Sequence, residues 1–268
     1  MVHPVTTEIV TSALERARAE NAELLLVRLN TPGGLMDAMR DTIGKIVASP
    51  IPVVTFVAPS GGRSASAGFF VLEAGDVAAM APGTATGAAH PVTLGREMDA
   101  VEKQKVENDA AAYMRSICSK RGRNTTLAES AVLESKSFTE KEALDQKLID
   151  LVAGNEQELL AALDGRVITR FNGARQTLHT SGATIEVYQR TLRQRIIAAI
   201  ADPNIALILL VIGALGIYAE FTSPGLIAPG VAGVILVLLG LSALSVLPAG
   251  EGLPFALRWS GLLTLPYA

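Results

Sequence analysis

Short apolar runs alternate with longer amphipathic stretches along the first 165 residues of the chain. The apolar runs are four or five residues long, which is typical of buried strands, and the stretches between them place apolar side chains at helical spacing. The predicted strands are 24–27, 53–57, 77–80 and 148–152, and the predicted helices are 6–19, 35–47, 67–73 and 99–120. Strands that alternate with helices predict an α/β domain with a parallel sheet.

The pattern changes after residue 165. Short β segments at 167–170 and 184–187 indicate a small β appendage, and the basic and apolar sides of 190–200 are typical of a helix at a membrane surface. Two uncharged apolar runs follow, at 205–219 and 225–250, and they predict a transmembrane helical hairpin.

These patterns divide the chain into four predicted segments. They are an α/β domain over 1–165, a β appendage with an amphipathic linker over 166–200, two transmembrane helices over 201–250 and a tail over 251–268. The tail is too short to complete a third span, so we expect it to be truncated. The N-terminus has no signal-peptide pattern, so the domain is either cytoplasmic or truncated at its start.

Composition narrows the classes of function. The chain is 49% hydrophobic and 18% charged, and its net charge of -3 gives no basic surface for nucleic acid. The single cysteine, Cys118, excludes an internal disulfide. The sequence contains neither metal-ligand spacing nor a nucleotide-binding glycine pattern, so we predict no metal and no cofactor.

Two glycine-rich turns carry the candidate chemistry. Residues 31–34 (TPGG) follow the first predicted strand, and residues 61–68 (GGRSASAG) bring a serine to the start of a predicted helix. A serine at a strand-to-helix turn exposes its hydroxyl beside unpaired backbone N–H groups. Together the two turns offer a nucleophile and a cradle for an oxyanion, which are the parts that acyl transfer needs.

Four motifs, in this order along the chain, resemble a known family. They are residues 29–34 (LNTPGG), 63–68 (RSASAG), 80–91 (MAPGTATGAAHP) and 137–144 (SFTEKEAL). The series resembles the NfeD family, which are membrane-bound serine proteases of the ClpP/crotonase superfamily with stomatin-like membrane proteins as partners. The resemblance covers residues 1 to about 165, and the hydrophobic tail fits the family's membrane region.

The resemblance implies a ClpP/crotonase-like parallel-sheet domain followed by a transmembrane helical hairpin. It implies a multi-pass membrane protein, a peptide or membrane-protein substrate and a homo-oligomer, at least a dimer. The chain departs from the family in lacking the strand expected before Pro4 and the soluble β-barrel of longer members. Arginines beside the first apolar run place the α/β domain in the cytoplasm, whereas family members with signal sequences suggest the opposite side, so the orientation stays open.

The nucleophile is assigned to Ser66, which directly precedes Ala67-Gly68 as the family's serine does. Ser64, in the same turn, is the rival. The oxyanion donors are the backbone N–H groups of Gly34 and Ala67, since the residue after the nucleophile is the usual donor and Gly34 permits close approach of the backbone.

The base is assigned by resemblance to Lys105. Its amine must be neutral to accept a proton, and burial against apolar groups would favour that form. Lys103 is a local rival, but residues two apart point to different faces of a helix. His90 is a competing base, because soluble ClpP peptidases carry a histidine in a comparable loop, although no acidic partner for it can be named from the sequence.

We therefore predict a membrane-anchored serine endopeptidase with a Ser-Lys dyad that cleaves hydrophobic peptide segments through an acyl-enzyme. A stomatin-like protein is the implied substrate or partner. The alternatives are a non-catalytic membrane scaffold for a stomatin-like partner, a Ser-His peptidase, and crotonase-like acyl-CoA chemistry, which uses similar oxyanion loops without a serine nucleophile.

Overall fold

The computed structural model describes residues 1–92, 99–200, 203–222 and 227–246. Two compact units are present. The first comprises 1–91 and 100–194, and the second contains the apolar helices near the C-terminal end.

Nine strands and ten helices make up the described residues. The strands are β1 (Leu25–Leu29), β2 (Val53–Val57), β3 (Arg63–Ala65), β4 (Val77–Met80), β5 (Ala85–Gly87), β6 (Ser137–Thr139), β7 (Leu151–Val152), β8 (Val167–Thr169) and β9 (Arg175–Thr177). The helices are α1 (Pro4–Ala19), α2 (Met36–Val47), α3 (Ala67–Ala74), α4 (Ala100–Arg121), α5 (Thr125–Leu133), α6 (Glu140–Asp145), α7 (Glu156–Leu163), α8 (Leu192–Ile200), α9 (Pro203–Thr222) and α10 (Ile227–Val246).

The main sheet has four parallel strands in the order β1-β2-β4-β7, so the predicted α/β parallel-sheet fold is confirmed. Its central strand β2 is buried along its whole length, because successive side chains enter cores on opposite faces. Val53 and Val57 join the core that includes α2 to α5, whereas Val54 and Phe56 join the core that includes α7. Burial on both faces explains why the strands are continuous apolar runs in the sequence.

A second sheet, in the order β3-β5-β6, was not predicted. Its strands have three residues each. β3 and β5 lie in turns or loops of mostly small or polar residues, and β6 lies in the 137–144 motif just before α6. β3 pairs with β5 in parallel, and β5 pairs with β6 antiparallel. This sheet carries the serine-containing turn.

The β appendage differs from the prediction. β8 pairs with β9 at 175–177, and not with the predicted segment at 184–187, so the latter strand is wrong. Glu186 within that segment instead forms an ion pair with Arg16 of α1, 3.3 Å away. The strand predicted at 148–152 is shorter than expected, because only β7 at 151–152 pairs with β4.

The second unit contains α9 and α10, which pack closely against each other. A Cβ atom on Gly213 would lie 2.7 Å from the carbonyl oxygen of Gly233, so the two backbones are in near contact, as is common between apolar helices that pack through small residues.

Within the described residues one stretch, Asn204–Thr222, is long and apolar enough to cross a membrane, with a mean hydropathy of 2.2. The apolar stretch in α10, Ala228–Ser242, is shorter, so the second span stays a prediction. The predicted tail over 251–268 lies outside the described residues.

Helix α3 is buried at every position, including its one charged residue, Glu73. Its last carbonyl groups lack partners within the helix and are bound by two arginines instead. Arg121 donates to Ala74 O at 3.0 Å, and Arg123 donates to the backbone oxygen of Glu73 and to Gly75 O. Cationic side chains also favour the negative end of the helix dipole.

The Glu73 carboxyl has an unusual environment. Burial raises its pKa to about 7, and the Arg123 guanidinium, 3.6 Å away, only partly opposes this effect. Its Oε2 atom lies 3.5 Å from Cys118 Sγ, and its Oε1 atom has no hydrogen-bond partner among the described residues. Native Glu73 therefore holds a proton at pH values where an exposed glutamate is ionised.

Glu73→Gln is expected to flatten the pH dependence of stability. Between the ordinary pKa of 4.5 and about 7 the native protein keeps a proton that the unfolded chain has lost, so the free energy of unfolding falls as the pH rises. The loss is roughly 3 kcal/mol across this window. Melting temperatures from about pH 5 to about pH 8 should fall more steeply in wild type than in Glu73→Gln. The exposed Glu134→Gln is the control, and equal slopes in wild type and Glu73→Gln would contradict the assignment.

Candidate active site

Ser66 lies between β3 and α3 with φ 54° and ψ -123°. A non-glycine residue rarely adopts this conformation, which costs on the order of 1–3 kcal/mol and persists only where surrounding contacts impose it. One contact that holds this conformation is a hydrogen bond, in which the N–H of Ser66 donates to Gly87 O at 2.9 Å, at the end of β5. The second sheet thus holds the serine in a strained strand-to-helix turn, a geometry that presents nucleophilic serines in α/β-hydrolases.

The two candidate serines differ in access. Ser64 is fully buried, and its hydroxyl oxygen has no hydrogen-bond partner in the part of the chain that the structure describes. Ser66 is half-buried. Because an attacking oxygen has to reach a substrate, this difference favours Ser66 over Ser64.

The glycine turn after β1 contacts Ser66 directly. Gly33 has φ 140°, and a Cβ atom built on it would lie 2.8 Å from Ser66 Cβ and 3.2 Å from Ser66 Oγ. Only glycine permits this approach without a shift of the serine. The structure therefore brings the 31–34 motif and the 61–68 motif together.

Val2 supports the glycine turn from its other side. Its N–H donates to Gly33 O at 2.8 Å, and its carbonyl accepts from the N–H of Leu35 at 2.9 Å. A Cβ atom on Gly34 would lie 2.0 Å from Val2 O, so this second glycine is required by close packing as well. Neither of the two hydrogen bonds made by Val2 involves the N–H of Gly34.

The N-terminus of α3 provides further donors. The first N–H groups of a helix have no intrahelical acceptor, and Ala67 and Gly68 are the first two residues of α3. The N–H of Phe69 is already bound to Ser66 O at 2.9 Å. The positive end of the helix dipole adds to the attraction for a negatively charged oxygen beside Ser66.

Lys105 lies near the start of α4 and is exposed, so the burial expected around a lysine base is not found. Lys103 is exposed as well, and its Nζ lies 3.7 Å from Glu107 Oε1 in a surface ion pair. The described residues therefore do not surround either amine with apolar groups.

His90 has oxygen neighbours at both ring nitrogens. Nδ1 lies 3.0 Å from the carbonyl oxygen of Val132, and Nε2 lies 3.2 Å from Glu107 Oε1. The sequence alone did not identify Glu107 as the acidic neighbour of His90. A histidine base has to direct one nitrogen at the serine hydroxyl, and here both nitrogens face other partners, which disfavours the Ser-His alternative.

Comparison with known proteins places these features in a family. Residues 2–186 match the family described as NfeD1b, N-terminal domain, and residues 204–265 match the NfeD integral membrane domain. Membrane-bound protease PH1510 of Pyrococcus horikoshii is 34% identical over 229 residues, which are 84% of this chain and 52% of that protein. The chain spans about half the length of the curated relatives it matches.

Two solved structures of a related protease are similar to this chain. A lysine-to-alanine mutant of the 1510-N membrane-bound stomatin-specific protease, in complex with a substrate peptide, has a TM-score of 0.68 and 32% identity, and the match covers 74% of this chain and 92% of that chain. A serine-to-alanine mutant of the same protease has a TM-score of 0.66 and 32% identity, with 71% and 93% covered. The parallel-sheet fold is thus that of the stomatin-specific protease.

Gly33→Ala is expected to destabilise the protein by about 1–3 kcal/mol, because the new methyl group meets Ser66 in a backbone conformation that alanine rarely adopts. Gly44→Ala, at an exposed position of α2, is the matched control. A Cβ there meets nothing within 4 Å, so this change should stabilise the helix by roughly 0.5–1 kcal/mol. Melting temperatures of both variants check the contrast. A Gly33→Ala protein as stable as wild type would show that the turn does not press on Ser66.

Proposed function

The chain belongs to the NfeD family, and from this premise we propose that it is a membrane-bound serine endopeptidase that cleaves hydrophobic peptide segments. The observation that carries the proposal is the strained turn of Ser66 against the backbone of Gly33. The similarity to a membrane-bound protease and to a stomatin-specific protease supports the same reaction.

In the proposed reaction Ser66 Oγ attacks the carbonyl carbon of the scissile peptide bond, and its proton passes to the base. The N–H groups of Gly34 and Ala67 stabilise the oxyanion, an effect worth about 3 kcal/mol of barrier for each such donor. The base then gives the proton to the leaving amine, and an acyl-enzyme forms on Ser66. A water molecule, deprotonated by the same base, releases the acyl group and restores the serine.

We propose Lys105 as the base. A related protease has been solved as a serine-to-alanine mutant and as a lysine-to-alanine mutant with a substrate peptide, which is the pair of residue types that this assignment requires. Lys105 is exposed in the described structure. Desolvation favours the neutral form of an amine, so an apolar peptide laid over the site would supply the enclosure that the described residues do not.

The proposed partner is a stomatin-like membrane protein, because the related structures are named for that specificity. The membrane arrangement is proposed to be multi-pass, with α9 and α10 as spans, and the side on which the protease domain lies stays open. Association into a dimer or larger homo-oligomer also remains a prediction.

Ser66→Ala is expected to reduce cleavage of an apolar peptide from a stomatin-like protein by at least about a thousandfold, because no acyl-enzyme can form. Ser64→Ala is the matched control in the same turn. It removes a buried hydroxyl without a partner and should retain nearly full activity. Peptide cleavage by the full chain in detergent, followed by mass spectrometry, measures both. If Ser64→Ala loses activity and Ser66→Ala does not, the nucleophile is Ser64 and the assignment to Ser66 is wrong.

Lys105→Ala is expected to lower kcat by about 100-fold to 10,000-fold, the usual contribution of a general base. Lys103→Ala, on another face of the same helix, should stay within about twofold of wild type because it removes only a surface ion pair. If His90→Ala is inactive while Lys105→Ala is active, the base is His90. If folded wild type cleaves no peptide, the scaffold alternative gives the better account.

A further inference from the structure

Lys105 belongs to a stripe of side chains along α4. Lys105, Asp109 and Tyr113 are spaced four residues apart, so they lie on one face of the helix. The first buried residue of α4 is Ala110, and residues 100–109 therefore contribute nothing to the apolar core. The second half of α4 is anchored in the core by five buried residues, Ala110, Ala111, Met114, Ile117 and Cys118. The position of the first half, which carries Lys105, therefore depends on this anchoring together with contacts nearer the start of the helix.

One such contact joins α4 to α2. The Arg40 guanidinium forms an ion pair with Asp109 and also lies over the ring of Tyr113, with 4.4 Å between the guanidinium carbon and the ring centroid. The planar guanidinium thus holds two members of the stripe at once. α2 begins at Met36, two residues after the glycine turn that contacts Ser66.

The same stripe is joined to α3. The rings of Tyr113 and Phe70 are stacked, with centroids 6.2 Å apart and planes at 21°. Phe70 is buried and lies one helical turn after Ser66. Tyr113 therefore contacts a residue from each of the two elements that form the site, Arg40 from α2 and Phe70 from α3.

A second polar contact acts on a different side of α4. Glu107 lies 3.2 Å from His90 Nε2 and 3.7 Å from Lys103 Nζ. Residues two apart do not share a face, so Glu107 restrains the helix without touching the Lys105 stripe. The stripe contacts Arg40 through an ion pair and a cation–π contact and Phe70 through ring stacking, and Tyr113 also packs against the apolar core.

We propose that Arg40, Asp109 and Tyr113 form an orientation clamp, three positioning residues that hold the exposed first half of α4 in place so that Lys105 faces Ser66. The proposal rests on the proposed function, in which Lys105 is the base. A rotation or shift of α4 moves Lys105 relative to Ser66, and misplacement by about 1 Å can cost on the order of 100-fold in rate. An ion pair with a largely exposed Asp109 contributes little to stability, so the clamp should act on catalysis rather than on folding.

The test compares variants of the full chain in detergent, with kcat, KM and melting temperature measured for each. Arg40→Met keeps much of the side-chain length but removes the charge, and it should lower kcat about 10-fold to 100-fold while KM and the melting temperature change little. Arg40→Lys keeps a charge for Asp109 but loses the planar group over the ring, so it should recover only part of kcat. Tyr113→Phe keeps the ring and should resemble wild type.

The matched control is Arg115→Met. Arg115 also lies on α4, but its ion pair is with Glu129 of α5, away from the stripe, so kcat should not change. In a Lys105→Ala background, Arg40→Met should cause no further loss, because the clamp acts only through the lysine.

Two results would overturn the clamp. If kcat is unchanged in Arg40→Met while Lys105→Ala is inactive, the clamp proposal is wrong and the proposed function stands. An equal loss on Arg40→Met with and without Lys105 shows that Arg40 acts by another route. If Lys105→Ala is fully active, it is the proposed base that fails. Should Arg40→Met not fold, Asp109→Asn breaks the same ion pair and gives the same comparison.

Discussion

Helix α3 is the element on which the rest of the site depends, because it is buried at all of its positions and is held at both ends. At its C-terminal end Arg121 and Arg123 bind carbonyl groups that the helix leaves without partners. At its N-terminal end the second sheet binds the N–H of Ser66 through Gly87. A helix held in this way resists movements that would relieve the strained backbone of Ser66, so the strain is kept at the proposed nucleophile.

Glycine at position 33 has a complementary role in the site. The backbone at Gly33 approaches the Ser66 side chain so closely that a Cβ atom would collide with it, and Val2 packs against the opposite side of the same turn. The predicted oxyanion loop and the predicted nucleophile are therefore neighbours through backbone contact. This backbone contact joins two short motifs that lie more than thirty positions apart in the sequence.

The sequence predicted the elements that are long or continuously apolar. β2 and β4 occupy the predicted ranges, because a strand buried on both faces contains little except apolar residues. The second sheet was missed because its strands are three residues long, and their pairing is decided by partners distant in sequence. The strand predicted at 184–187 failed for the same reason, since β-branched residues without a partner strand form no sheet.

The contact between the two glycine-rich turns was predictable, because each turn is a local motif. The turn around Ser66 and the glycines at 33–34 are compact motifs whose residue types indicate their role. The exposure of Lys105, the pairing of His90 with Glu107 and the contacts of Arg40 were not predictable, because each depends on how α4 packs against other elements. The burial expected for Lys105 was wrong, which makes substrate binding part of the proposed mechanism.

The central claim is that Ser66 is the nucleophile. The most direct test is to treat the full chain with a serine-reactive phosphonate and to locate the adduct by tandem mass spectrometry. If Ser66 is the nucleophile, one covalent adduct forms, on Ser66, and an excess of apolar substrate peptide blocks its formation. An adduct on Ser64 or on any other residue, in protein that still cleaves peptide, would contradict the claim.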